Sequence, residues 1–126
     1  MACILVVEDS PLLAKLVRMG LEHGGHTVLV VEDGSVVMNA AASYQPDLIL
    51  LDVLLPGASG FEVLTDLKAH PATAAIPVFM LTGQSDAPSK LKALDSGAEA
   101  YLSKPIDMAD LLARIAALAA RPHAQV

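Results

Sequence analysis

Short, almost continuous apolar runs recur along the 126-residue chain, and they limit its fold more than any other feature. The five runs read CILVV (3–7), TVLVV (27–31), LILLDV (48–53), IPVFML (76–81) and AYLS (100–103). Apolar runs of this length without alternation are typical of strands that are covered on both faces, as in a parallel sheet. The sequence therefore predicts five strands of a buried sheet.

The segments between these runs have helical periodicity and recognisable ends. Ser10 and Pro11 predict the N-cap and first turn of a helix, which Gly24 and Gly25 end. Further helices are predicted from residues 34–35, from 59–60 to about 70, from 88–89 to 97, and from 107 to about 120. Alternating strands and helices with right-handed crossovers make a doubly wound α/β domain over residues 1–120. Residues 121–126 are interpreted as a frayed tail or the start of a linker.

Charge and cysteine content exclude several classes of partner and location. The net charge of -6 argues against direct contact with nucleic acid or an anionic membrane. The single Cys3 cannot form an internal disulfide, and a reduced thiol suits the cytosol. No apolar run approaches the roughly 18 residues of a membrane span, and the N-terminus lacks the features of a leader peptide. We therefore expect a soluble, cytoplasmic protein.

Polar residues follow the predicted strands at the end where ligands bind in open parallel sheets. Glu8 and Asp9 follow the first strand, and Asp52 ends the third. Thr82 follows the fourth strand and Lys104 the fifth. Each residue alone also fits a helix cap, a turn or a surface position. Their conjunction at one edge favours a site, and crowded carboxylates suit a small hard cation such as Mg²⁺.

Four stretches of this pattern resemble the receiver domain of two-component response regulators, of the chemotaxis-receiver type. They are VVEDS (6–10), DVLLPGASG (52–60), LTG (81–83) and YLSKP (101–105), in family order and at family spacing. The resemblance covers residues 3 to about 120. It implies a flavodoxin-like sheet of five parallel strands with the order 2-1-3-4-5, surrounded by five helices.

The resemblance also implies roles for the acidic residues. Asp52 would be the phosphoacceptor, which takes a phosphoryl group from a phosphohistidine. Glu8, Asp9, Asp52 and the backbone carbonyl of Leu54 would hold Mg²⁺. Gly60, in the loop after Asp52, is expected to supply a positive φ or a close backbone approach, or merely to permit the following helix turn.

The remaining implied roles concern the phosphoryl group and its switch. Thr82 and Lys104 would bind phosphoryl oxygens, and the bond between Lys104 and Pro105 would be cis. Thr82 would then move toward the phosphoryl group and open space for Tyr101, the aromatic switch residue. The protein would act as a self-catalysed phosphoacceptor rather than as an enzyme with an external substrate.

The expected partner is a histidine kinase or a histidine phosphotransfer protein, with no nucleic acid and no membrane bound by this domain. A homodimer through the last two helices is left open, because residues 97–105 and 110–115 resemble the dimerising face of transcription-factor receivers. One alternative is a receiver-like interaction module that is never phosphorylated, although such modules typically lose an acidic or lysine residue that this chain retains. Another is an Mg²⁺-dependent aspartyl phosphohydrolase, which Leu54 counts against because those enzymes usually carry a second Asp there.

Overall fold

The computed structural model describes residues 2–53, 55, 59–82 and 97–120. Five strands form one parallel sheet in the order β2-β1-β3-β4-β5, as predicted. Their bounds are β1 Cys3–Val7, β2 Thr27–Val31, β3 Leu48–Asp52, β4 Val78–Thr82 and β5 Ala100–Ser103.

Four α-helices lie within the described residues. They are α1 Pro11–His23, α2 Val37–Tyr44, α3 Gly60–Ala69 and α4 Met108–Ala120. A short 3₁₀ turn, Gly34–Val36, precedes α2 at the point where the second helix was predicted to begin. Residues 88–96 of the fourth predicted helix and the tail 121–126 lie outside the described residues. Among the helices that the structure describes, none is both long and apolar enough to cross a membrane.

The fourth strand starts and ends later than the sequence indicated. The apolar run began at Ile76, whereas β4 begins at Val78. Pro77 has no N–H to donate to a neighbouring strand, and its carbonyl accepts from the Ile49 N–H at 3.0 Å. The strand then continues to Thr82, so this polar residue, which follows the apolar run, belongs to the sheet itself.

Side-chain caps determine where α1 and α3 begin. The Ser10 hydroxyl accepts from the Leu13 N–H at 3.4 Å, directly after the end of β1. Ser59 and Glu62 form a capping box at the start of α3, with the Ser59 N–H donating to the Glu62 carboxylate at 3.0 Å. Both helices therefore start beside the carboxyl edge of the sheet.

The two faces of the sheet are covered by separate helix pairs. Alternate residues of β1 and β3 point to opposite faces, and every residue of β3 is buried. Helices α2 and α3 pack on one face, and α1 and α4 pack on the other. The predicted doubly wound arrangement is confirmed for the described part of the chain.

Gly60 allows α3 to begin in contact with the end of β3. A Cβ at Gly60 would lie 2.7 Å from the Val53 Cα and would also clash with the Asp52 carbonyl. The Gly60 N–H donates to the Val53 carbonyl at 2.8 Å. Of the roles considered for this glycine, the structure shows the close backbone approach.

We predict that Gly60→Ala lowers the free energy of unfolding by about 1–3 kcal/mol, because the atoms in the way are backbone and cannot rotate aside. Gly20→Ala is the control. Its Cβ would meet the flexible Met108 side chain, and the helix propensity of alanine offsets that shift, so a change below about 1 kcal/mol is expected. Urea denaturation measures both variants, and equal losses would contradict the assignment.

Candidate functional site

Three carboxylates meet at the carboxyl edge of the sheet. Glu8 and Asp9 follow β1, and Asp52 is the last residue of β3. Val7 pairs with Leu51 across these neighbouring strands, so Glu8 and Asp52 lie side by side. One ligand oxygen from each of the three acids lies within 4.8 Å of the others. The structure therefore brings together the acidic residues that the sequence predicted to share a site.

Two of these acids are almost completely removed from solvent. Glu8 is 2% exposed and Asp52 is 4% exposed, whereas Asp9 is exposed. The Glu8 Oε2 accepts from the Ser10 N–H at 3.1 Å, in the turn that leads into α1. Burying two like charges this close is costly, so the site requires positive charge nearby.

Lys104 supplies that charge from the far side of β4. Its Nζ lies 2.8 Å from Asp52 Oδ2 and 3.1 Å from Glu8 Oε1. The contact with Asp52 is a hydrogen bond, and the contact with Glu8 is an ion pair without hydrogen-bond alignment. The Lys104–Pro105 peptide bond is cis, as the resemblance implied.

The pKa values of Glu8 and Lys104 are both raised, but for different reasons. Burial raises the pKa of Glu8, and the nearby Asp52 carboxylate adds to the rise, while the Ser10 N–H and Lys104 oppose it. Burial lowers the pKa of Lys104, but its hydrogen bond to Asp52 and the Glu8 carboxylate outweigh this, so the pKa lies above its ordinary value. Lys104 is therefore a permanent cation at neutral pH.

The donor set fits a divalent metal ion. One ammonium faces three carboxylates, which leaves an excess of negative charge at the edge of the sheet. Among the buried side-chain polar atoms of the described residues, Glu8 Oε1 alone lacks a hydrogen-bond partner. Carboxylate oxygens with unused lone pairs are the ligands that hard cations prefer. The acidic cluster is thus able to hold such an ion.

The remaining predicted site residues are only partly described. Thr82 ends β4 and pairs with Ser103, so its backbone lies at the same edge. Its side chain and the Leu54 carbonyl lie outside the described residues. Tyr101 is half-buried in β5 and packs against the core under α2 and α3. The switch roles of Thr82 and Tyr101 stay predictions.

The sequence did not reveal an apolar stripe on the outer surface of α1. Leu12, Leu16 and Met19 are 69%, 55% and 55% exposed and are spaced as neighbours on one helix face. We call these three residues the α1 stripe. The opposite face of α1 buries Ala14, Val17 and Leu21 against the sheet. The sequence did carry a signal for the stripe, because α1 contains more apolar residues than one buried face requires.

Comparison with known proteins gives a consistent result. The family model of the response regulator receiver domain matches residues 4–116. The DNA-binding dual master transcriptional regulator RpaA of Synechocystis sp. is 42% identical over 118 residues, which are 94% of this chain and 49% of that protein. The chain spans about half the length of the curated relatives it matches.

Solved structures agree in fold. The BeF3-activated N-terminal receiver domain of Klebsiella pneumoniae RstA gives a TM-score of 0.88 at 30% identity, covering 94% of this chain and 99% of that one. The chemotaxis protein CheY4 of Vibrio cholerae gives a TM-score of 0.86 at 28% identity, covering 94% and 98%.

We predict that Lys104→Met destabilises the protein when metal is removed with EDTA. The substitution keeps the aliphatic stem but leaves Glu8 and Asp52 without their cation. Because Lys104 is 24% exposed, the expected loss is about 2–3 kcal/mol, below that of a fully buried pair. Urea denaturation measures the loss, and Lys15→Met on the exposed side of α1 is the control. An unchanged Lys104→Met variant would show that the ammonium does not balance these acids.

Proposed function

The chain belongs to the response regulator receiver domain family, and from that premise we propose that it is a phosphorylation-activated switch with Asp52 as the phosphoacceptor. The observation that carries the proposal is the contact of Lys104 with both Asp52 and Glu8 at the carboxyl edge of the sheet. The Lys104 ammonium beside Asp52, together with a divalent ion held by the acidic cluster, would balance the negative charge that a phosphoryl group brings.

The chemistry follows from the residues at this edge. A carboxylate oxygen of Asp52 forms a bond to phosphorus as the bond from phosphorus to the donor imidazole nitrogen breaks, and the leaving imidazole takes up a proton. Phosphoryl transfer depends on positioning and on neutralisation of the phosphoryl oxygens. Lys104, whose Nζ already lies 2.8 Å from Asp52, is placed to interact with the oxygens of the transferred group.

Glu8, Asp9 and Asp52 are the residues that would hold Mg²⁺, with the Leu54 carbonyl as a further proposed ligand. When bound, the ion neutralises charge on the phosphoryl oxygens and reduces repulsion from the acceptor carboxylate. The chain itself orients this ligand set, because the Ser10 N–H holds one oxygen of Glu8 and leaves the other without a hydrogen bond.

The switch begins as a change of charge. An acyl phosphate carries about -1.5 to -2 of charge at neutral pH in place of the single negative charge of the Asp52 carboxylate. This larger charge lies beside Lys104, the only described cation in contact with these acids. We propose that Thr82 donates to the phosphoryl group and that Tyr101 moves into the space that Thr82 vacates. The half-buried position of Tyr101 beside β4 supports this role.

The phosphodonor is proposed to be a histidine kinase or histidine phosphotransfer protein that docks on the α1 stripe. Helix α1 begins two residues after Asp9, so the stripe starts beside the acceptor. A donor histidine must come within bonding distance of Asp52, and its protein must therefore contact the surface next to the site. Apolar residues on one helix face suit the apolar face of a partner helix.

The output is proposed to reach another protein or an attached domain. RpaA is named as a DNA-binding regulator and CheY4 as a chemotaxis protein, so relatives of this fold serve different outputs. The net charge of -6 disfavours direct contact with DNA. We therefore propose that a DNA-binding output would require a different domain. Homodimerisation through the last two helices stays a prediction, since the earlier of them lies outside the described residues. The chemistry is proposed to occur in the cytoplasm, without an external substrate.

We predict that acetyl phosphate with Mg²⁺ adds one phosphoryl group, about 80 Da, to the intact protein. Asp52→Asn and the addition of EDTA should each abolish the gain, because one removes the acceptor and the other the neutralising ion. Intact-mass spectrometry is the measurement. Turnover of a phosphate ester would favour the phosphohydrolase alternative, and an unchanged mass would favour the non-phosphorylated interaction module.

We predict that Leu16→Glu reduces the rate of phosphoryl transfer from a histidine kinase by about tenfold, which corresponds to the loss of one apolar contact. The rate with acetyl phosphate should stay unchanged, because Leu16 does not belong to the site. Val36→Glu is the matched control, since Val36 is 45% exposed and lies outside the α1 stripe. Equal effects of both variants on the kinase reaction would refute docking on α1.

A further inference from the structure

Met19 differs from the other methionines that the structure describes. Its side chain is 55% exposed on the α1 stripe, whereas Met80 is completely buried in the core. Met38 and Met108 are partly buried and pack against the two cores. Exposure is the main determinant of how fast a thioether reacts with a dissolved oxidant. Met19 is therefore the described methionine most open to oxidation.

Met108 lies close to Met19 but is partly buried. Met108 reaches across from α4 and lies over Gly20, the residue next to Met19. A Cβ at Gly20 would lie 2.8 Å from the Met108 Sδ, so this sulfur is seated against the backbone of α1. The Met108 sulfur is therefore covered by α1 at Gly20, whereas the side chain of Met19, at the preceding position of the helix, faces outward.

We propose that Met19 is an oxidation site through which a peroxide lowers docking of the protein phosphodonor. The inference rests on the proposed docking of that donor on the α1 stripe. In the reaction the Met19 sulfur attacks one oxygen of hydrogen peroxide and the O–O bond breaks. The sulfur is oxidised by two electrons to the sulfoxide, the peroxide is reduced, and the second oxygen leaves as water.

The product changes the stripe without changing the fold. A sulfoxide is strongly polar, so removing it from water against an apolar partner face is unfavourable. The buried face of α1, formed by Ala14, Val17 and Leu21, does not include Met19. The acidic site does not include it either. Oxidation should therefore affect transfer from a protein donor and leave reaction with a small phosphodonor unchanged.

The first test measures selectivity. The protein is treated with dilute hydrogen peroxide, and peptide mass spectrometry follows sulfoxide formation at each methionine with time. Met19 should be oxidised about tenfold faster than Met38, Met80 or Met108, in line with exposure. Oxidation of Met38 or Met108 at the same rate would overturn the proposal.

The second test measures function on the same oxidised sample. The kinase is one from the same genome, chosen because it phosphorylates the reduced protein. Oxidation should reduce its transfer rate by about tenfold, and methionine sulfoxide reductase should restore the rate. Met19→Leu should transfer normally and resist peroxide, whereas Met19→Gln should resemble the oxidised protein without treatment.

The reaction with acetyl phosphate distinguishes failure of the proposed function from failure of the inference about Met19. If it fails to phosphorylate the reduced protein, the proposed function is wrong. If it and the kinase both phosphorylate the reduced protein, and oxidation of Met19 leaves the kinase reaction unchanged, the inference about Met19 is wrong. Loss of activity in oxidised Met19→Leu would likewise assign the effect to another residue.

Discussion

The contact of one ammonium with two buried carboxylates is the interaction on which the rest of the site depends. Glu8 and Asp52 are almost fully removed from solvent and lie within reach of each other, so their mutual repulsion is poorly screened. Lys104 contacts both and balances part of their charge. The remaining negative charge is not balanced by any described residue in contact with these acids. The same imbalance that costs stability makes the site ready for a divalent ion.

The fold holds this arrangement through backbone features rather than through additional charges. Parallel pairing of β1 with β3 places the ends of both strands at one edge. The caps at Ser10 and Ser59 start helices directly beyond these ends, and the absence of a side chain at Gly60 lets α3 approach the Asp52 backbone. Each of these features limits the movement of a carboxylate by limiting its backbone. As the proposed phosphoacceptor, Asp52 would need little rearrangement before reaction.

In the proposed function, helix α1 links this chemistry to recognition, because one of its faces is buried and the other is exposed. One face buries three side chains against the sheet, and the other exposes the α1 stripe on the helix that follows Glu8 and Asp9. Under the proposed function, the acidic site would accept a phosphoryl group from any donor of suitable reactivity, whereas only a protein donor would contact the stripe. Reactivity and partner choice are therefore assigned by the proposal to separate groups of residues. On this proposal, a change on the stripe, including a chemical change at Met19, would alter partner choice without altering reactivity.

The sequence by itself determined the strands, most helix ends and the residue types at the edge of the sheet. Apolar runs, capping residues such as Ser10 and breakers such as Gly24 act within a few positions, so their effect can be inferred locally. Only the tertiary structure decided that Lys104 contacts both Glu8 and Asp52, because that contact joins residues at the carboxyl ends of three different strands. It also decided that β4 begins after Pro77 and that the α1 stripe stays exposed. A helical pattern shows how many apolar residues a helix has, but their burial depends on which surfaces the rest of the chain brings against them.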